Sequence, residues 1–274
     1  MKVLVTGAAG QLARALVPAL AGHQVVTLDR AALDVSDLAA VRSAVAANAP
    51  AVVINAAAYN HVDQAESEPE AAQRVNRDGA RNLAVATAEH GTALLHVSSD
   101  YVFDGEAGRP YDERDVPNPL SAYGRSKLAG EEAVRESNPR HFVVRTAWVY
   151  APVGRNFPNT MRRLAARGPV RVVDDQTGSP TYAPHLAEGL VRLLTSGGYG
   201  TYHMAGAGAA TWHAFTVALF AALGVDREVE RASTAEFPSP ARRPRFAPLV
   251  TTRVPPIVLP HWQEGVAAYA HAAA

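Results

Sequence analysis

Apolar residues follow two rhythms along the first half of the chain. Val3-Leu4-Val5, Val25-Val26-Thr27-Leu28, AVVIN (Ala51 to Asn55) and ALLHVSS (Ala93 to Ser99) are short, nearly unbroken runs. Runs of this length, rich in β-branched residues and without polar alternation, predict strands buried on both faces of a parallel sheet. Between them the spacing turns helical. Leu12, Leu16 and Leu20 share one face, DLAAVRSAVAAN reads as a helix with Asp37 near its start, and a further helix is expected from about Pro69 to His90. PLSAYGRSKLAGEEAVRE predicts another helix, and HFVVRTAWVY the next strand. This alternation predicts an α/β fold, a Rossmann-type doubly wound parallel sheet over residues 1–150, with right-handed crossovers.

After Tyr150 the texture changes. Prolines crowd DDQTGSPTYAPH, FPSPARRPRFAPL and VPPIVLPHW, while helices are still expected near Thr181–Ser196 and Thr211–Leu223. Residues 151–274 are therefore expected to form mainly a smaller C-terminal lobe, with some segments returning to the Rossmann sheet. A ligand in an open α/β sheet sits beyond the carboxyl ends of the strands, where such a lobe would close over it.

Composition narrows the classes. Of 274 residues, 48% are hydrophobic and 19% charged, enough for a substantial core. Lys+Arg and Asp+Glu both number 26, so no basic face supports nucleic-acid binding. The chain has no cysteine, which excludes disulfides and thiolate chemistry and suits a reducing cytoplasm. No segment approaches the roughly 18 unbroken apolar residues of a membrane span. A cytoplasmic protein is expected.

Candidate chemistry begins at TGAAGQLA, directly after the first strand. Gly7 permits a tight turn, Gly10 lets backbone approach a pyrophosphate, and Ala13 is small enough for the third, packing position. Gln11 and Leu12 open the helix whose N-terminus faces the phosphates. Asp29-Arg30 ends the second strand. An acid there bonds a ribose 2′-hydroxyl and favours NAD, whereas an arginine accepts a 2′-phosphate and favours NADP, so the pair argues both ways. Asp34-Val35 follows, either as an adenine-contacting turn or as a helix N-cap region. Tyr123 and Lys127 are four apart and share a helix face, which fits a surface pair as well as an acid beside its activator. Among ten histidines, His96 and His203 lie in apolar surroundings that suit structural roles, and no H-E-x-x-H spacing marks a metal site.

With these residues in hand, the chain resembles the dTDP-4-dehydrorhamnose reductase family of extended short-chain dehydrogenase/reductases, nearly end to end. The glycine turn and Y-x-x-x-K mark only the superfamily. INAAAYNHVDQAESEPE (Ile54–Glu70), SSDYVFDG (Ser98–Gly105), PYDERDVPNPLSAYGRSKLAGE (Pro110–Glu131), VRTAWVYAP (Val144–Pro152), DDQTGSPTYA (Asp174–Ala183) and ARRPRFAPL (Ala241–Leu249) are more specific. The resemblance implies that Ser99, Tyr123 and Lys127 form a catalytic triad, with Ser99 also at the substrate. It implies that Asp100 and Trp148 face a nucleotide-sugar. It further implies that Ala57, Ala58, Tyr59 and Asn60 line the cofactor, with Tyr123 and Lys127 beside it. The cofactor would be NADP or NAD, reduced and serving as hydride donor. The reaction implied is reduction of the 4-keto group of a nucleotide-linked deoxysugar, dTDP-4-dehydro-6-deoxy-L-mannose to dTDP-L-rhamnose. A homodimer is compatible with the family. Ala15 stands where some members carry an acid that binds magnesium, so no metal is expected.

In that setting Lys127 is expected to favour the Tyr123 phenolate and lower its pKa, bringing the acid nearer working pH. Ser99 would donate to the carbonyl oxygen. Two alternatives remain open. A nucleotide-sugar 4,6-dehydratase or epimerase keeps the triad but returns the hydride, although Tyr101 after Asp100 argues against the acidic pair that elimination needs. A non-catalytic NADP-binding regulatory subunit is the other.

Overall fold

The computed structural model describes residues 1–195 and 198–273. Strand β1 (Lys2–Thr6) leads into helix α1 (Gln11–Ala19), β2 (Gln24–Leu28), α2 (Leu38–Asn48) and β3 (Val52–Asn55). A helical stretch, α3 (Pro69–Gln73) and α4 (Gly79–Glu89), precedes β4 (Ala93–Ser99), α5 (Ala122–Ser137) and β5 (His141–Thr146). The remainder comprises β6 (Val149–Tyr150), α6 (Phe157–Ala165), β7 (Val170–Val173), β8 (Thr177–Gly178), β9 (Thr181–Tyr182), α7 (Ala183–Leu194), β10 (Gly200–His203), β11 (Ala210–Thr211), α8 (Trp212–Leu223), β12 (Val229–Ala232) and α9 (Trp262–Ala273). The predicted end of the helix near Ser196 lies outside the described residues.

Six strands form one sheet in the order β10-β5-β4-β3-β1-β2, and every pairing is parallel. Alternation along β1 divides the core in two. Val3 and Val5 face the cluster that includes Leu12 and Leu16 of α1 and Leu186 and Leu190 of α7. Leu4 faces Val41 and Val45 of α2, Leu83 of α4 and Val134 of α5. All four residues of β3 are buried, three of them the apolar side chains of Val52, Val53 and Ile54. Each such side chain contributes about 1.5–3 kcal/mol by leaving water. At the start of α2 the Asp37 carboxylate accepts from the Ala39 and Ala40 N–H groups at 2.9 and 3.1 Å, a cap worth about 1 kcal/mol.

Two expected elements differ in detail. HFVVRTAWVY forms two strands, because Trp148 takes a left-handed backbone (φ 45) and turns the chain between β5 and β6. The stretch from Pro69 is interrupted by a π-turn at Arg74–Asp78. That extra residue in the turn carries Asn76 inward, where it is buried. Its amide accepts the Tyr59 N–H (2.8 Å) and donates to the Tyr59 carbonyl (3.1 Å) and the Ser126 hydroxyl (2.9 Å).

Beyond Tyr150 a second core gathers Tyr150, Phe215, Leu219, Trp262, Val266 and Tyr269 from β6, α8 and α9. Strand β10 leaves this region and pairs with β5 at the edge of the central sheet.

Candidate active site at the carboxyl edge of the sheet

At the end of β1 the chain makes its tight turn. Gly7 adopts φ 69, and a Cβ there would stand 2.6 Å from the Ala57 nitrogen, so the turn and the loop after β3 touch backbone to backbone. The Gly10 N–H closes the turn on the Gly7 carbonyl at 2.9 Å. Ala13 is buried at the packing position. A cleft of about 750 Å³ opens here and runs past the carboxyl ends of β3, β4 and β5 to α8.

This cleft brings together most of the residues singled out from the sequence. Gly10, Gln11, Leu12, Ala58 and Asn60 line it together with Ser99, Asp100, Tyr123, Lys127 and Trp148. Gly7, Ala57 and Tyr59 stand just behind. The Ala57 N–H bonds the Asn55 side chain at 3.1 Å, and Asn76 holds Tyr59. Asp29 lies in a second depression beside the glycine turn, which shares Ala9 and Arg14 with the main cleft. Arg30, Asp34 and Val35 line neither hollow. The Asp34 carboxylate is held by the Ser36 hydroxyl and N–H at 2.7 and 2.9 Å, and Val35 is buried against Gly79.

Helix α5 carries the Tyr123/Lys127 pair into the cleft. Its first turn is secured twice: Ser121 Oγ accepts the Gly124 N–H (3.1 Å), and Glu66 Oε1 accepts the Ala122 N–H (2.8 Å). A Cβ on Gly124 would meet the Tyr101 carbonyl oxygen at 2.2 Å, so the helix lies directly on the turn that follows β4. Tyr123 and Lys127 are both buried, which removes the surface-pair reading.

The electrostatics depart from expectation at Tyr123. Burial, aided by the Asp100 carboxylate, pushes its phenol above the ordinary value, and hydrogen bonding to Ser99 only partly opposes this. The expected lowering by Lys127 is not seen: burial dominates at the phenol. Lys127 Nζ donates to the Val97 carbonyl at 2.7 Å, and burial brings its own pKa down to about 8 against the pull of Glu131. Asp100 is pushed up to about 7 by burial, although the Ser99 hydroxyl donates to its Oδ1 at 3.0 Å. The Tyr123 hydroxyl faces Asn60 Oδ1 at 3.5 Å. A proton can thus be held on Asp100 or Tyr123 near neutral pH.

Trp148 stacks on Trp212, with ring centroids 3.4 Å apart and planes inclined by 3°, and Phe157 abuts Trp212 at 4.3 Å. A side chain on Gly178 would strike the Trp148 indole at 2.5 Å, which leaves glycine as the residue behind it. Trp212, Asn76 and Arg14 were not found from the sequence. Trp212 and Asn76 act across long separations in the chain, and the only local sign for Arg14 was its place beside the glycine turn. Asn156 spans the cleft from the other side: its amide donates to Gln11 Oε1 at 3.2 Å, while Gln11 Nε2 donates to the Val149 carbonyl at 2.8 Å.

These features fit a dinucleotide. The turn offers backbone that no Cβ obstructs, the helix N-terminus favours phosphate, and the buried Thr146 hydroxyl on the cleft wall has no hydrogen-bond partner among the described residues. No helix among the described residues is long and apolar enough to cross a membrane.

The family described as RmlD substrate binding domain matches residues 1–274. A dTDP-4-dehydrorhamnose reductase of Sinorhizobium fredii (strain NBRC 101917 / NGR234) is 41% identical, over 96% of this chain and 95% of the relative. A crystal structure of a dTDP-4-dehydrorhamnose reductase from Clostridium acetobutylicum superimposes with a TM-score of 0.96 at 38% identity, covering 99% of each chain. Another, from Bacillus anthracis in complex with NADP, does so with a TM-score of 0.95 at 37% identity, covering 98% of each chain.

Proposed function

The chain belongs to the dTDP-4-dehydrorhamnose reductase family, and on that premise we propose that it reduces the 4-keto group of dTDP-4-dehydro-6-deoxy-L-mannose to give dTDP-L-rhamnose, with NADPH or NADH as reductant. The observation that carries this reading is the convergence of buried Tyr123, Lys127, Ser99 and Asp100 with the glycine turn in one cleft. Residues 1–150 form the dinucleotide-binding part in this reading, and residues 151–274 supply most of the substrate side. On the same reading the enzyme works in the cytoplasm, and a homodimer is its expected assembly.

A reduced nicotinamide supplies the hydride that adds to the sugar carbonyl carbon. The protein's residues do the rest. Gly7, Gly10, Gln11 and Leu12 present the turn and helix end to the pyrophosphate, and Ala57, Ala58, Tyr59 and Asn60 line the cofactor near its nicotinamide side. Asp29 takes the ribose hydroxyls, while Asp34 and Val35, which line neither hollow, stand behind the site. Lys127 holds the nicotinamide ribose. Ser99 donates to the carbonyl oxygen as negative charge develops there. Tyr123 delivers the proton to that oxygen, and its raised pKa keeps the proton on the phenol until the oxyanion forms beside it. Asp100, reached through Ser99, faces the sugar ring. Trp148, backed by Trp212, offers a flat apolar wall to the nucleotide-sugar.

Incubation with dTDP-4-dehydro-6-deoxy-L-mannose and NADPH tests the reading. Reductase activity consumes the reduced nicotinamide in proportion to sugar, seen as loss of its near-ultraviolet absorbance. An epimerase, a dehydratase or a regulatory subunit consumes none. Tyr123→Phe should cut turnover by about 10²–10⁴-fold while NADPH affinity holds; near-parental turnover removes Tyr123 from the chemistry.

A further inference from the structure

Beside the glycine turn a depression of about 370 Å³ is lined by Ala8, Ala9, Arg14, Thr27, Asp29 and Ala32. Arg14 also lines the main cleft, so the hollow continues that cleft past the turn toward the end of β2. In a doubly wound fold this is where the adenosine ribose of a dinucleotide lies. Resting on the functional reading above, we infer that Arg14, and not Arg30, is the residue that recognises the 2′-phosphate of NADPH.

Three observations carry this. First, the Arg14 guanidinium has no ion-pair or hydrogen-bond partner among the described residues, so its charge is free to meet a ligand. It stands in the first turn of α1, where the exposed N–H groups already favour an anion. Second, Arg30 lines neither hollow, and its charge acts on Asp34 together with Arg74. Third, Asp29 Oδ1 accepts from the Ala31 and Ala32 N–H groups at 3.0 and 2.9 Å, which fixes the carboxylate in the hollow that Arg14 also lines. One hollow thus holds an acceptor for a 2′-hydroxyl and a cation for a 2′-phosphate. The two cofactors would be read by different walls of the same pocket. Asp29 favours NADH and opposes the phosphate, and Arg14 offsets that repulsion for NADPH.

Calorimetric titration of the full chain with NADPH, NADH and adenosine 2′,5′-bisphosphate tests the assignment without turnover. Arg14→Ala should weaken NADPH and the bisphosphate by roughly 10–100-fold, as loss of a charge-assisted bond does, and leave NADH within about twofold. Arg30→Ala should leave all three within about twofold. The NADPH preference lost in Arg14→Ala should also shrink in the parent as salt is raised. Equal weakening of NADH and NADPH in Arg14→Ala would place the arginine on the pyrophosphate and overturn the assignment. So would selective loss of NADPH in Arg30→Ala, or parental binding by Arg14→Ala. If the parent itself binds neither nicotinamide, the functional reading falls too; if it binds both and Arg14→Ala is unchanged, only this inference falls.

Discussion

Asp100 is a carboxyl kept from water, and burial outweighs its bonds to the Ser99 hydroxyl and nearby backbone, so its folded pKa of about 7 stands above the ordinary 3.8. The folded state therefore holds the proton more tightly than the unfolded chain does. The stability this contributes is fully present below about pH 4 and is lost as pH rises through about 7. Asp100→Asn keeps the acceptor for Ser99 and has nothing to titrate in that window. Urea unfolding of both proteins across the range should show the parent losing stability relative to the variant as pH rises; parallel profiles would mean the carboxyl is solvated. The residues of the candidate site differ in how openly the sequence shows them. Ser99 is singled out only by the family resemblance, whereas Tyr123, Lys127 and Gly10 announce themselves because their chemistry depends on local spacing, four residues on a helix or a turn after a strand. Asn76 and Trp212 do not, since their partners Tyr59 and Trp148 lie far along the chain and no local pattern links them. The direction of the Tyr123 shift was also hidden: spacing places Lys127 on the same face but says nothing of how completely the phenol is buried.

Helix α5 is held at backbone distance on two sides. A Cβ on Gly124 would stand 2.2 Å from the Tyr101 carbonyl oxygen, and one on Gly130 2.2 Å from the Asn76 carbonyl oxygen. Alanine is the better helix former by about 1 kcal/mol, but neither contact is with a side chain that can move aside. Gly124→Ala should therefore destabilise the protein by about 1–3 kcal/mol and, by tilting Tyr123 and displacing the turn that carries Ser99, cost turnover as well. The exposed Glu132→Ala on the same helix should do neither. Denaturant midpoints with turnover for both variants check this, and a stable, active Gly124→Ala protein would show the helix free to shift. Most elements were legible because burial on both faces leaves unbroken apolar runs and amphipathic helices leave a three-to-four-residue beat. The break between β5 and β6 was not, because a left-handed backbone at Trp148 leaves no trace in polarity. The π-turn was equally silent, since one inserted residue shifts the helical beat too little to read.

Across the whole molecule, one half-buried carboxylate ties distant segments together. Glu113 accepts the His203 N–H of β10 at 2.9 Å, the Thr251 hydroxyl at 2.5 Å, and the Thr252 N–H and hydroxyl at 2.8 and 3.0 Å. Burial alone would raise its pKa, but these bonds prevail and hold it below the ordinary value. Its contribution is thus present above the unfolded pKa and fades as pH falls. Glu113→Ala strands these donors and should cost about 1–3 kcal/mol, with faster amide exchange confined to His203 and residues 111–115 and 249–253. Uniformly faster exchange would deny it that local role. Nearby, Glu131 and Arg145 form a buried pair at 2.8 Å between α5 and β5, beside His203, so the sheet edge, the helix of the candidate site and the C-terminal segments share one polar seam. That edge strand has a history written into the order of the chain. Residues 200–203 are the only described segment that pairs with the outer side of β5, yet they follow Thr146 by more than fifty positions. A ribosome adding about 5–20 residues per second leaves that row of N–H and C=O groups open for several seconds. During synthesis the half-made sheet is an adhesive surface, and the nascent chain passes through its most aggregation-prone moment just before β10 arrives to seal it.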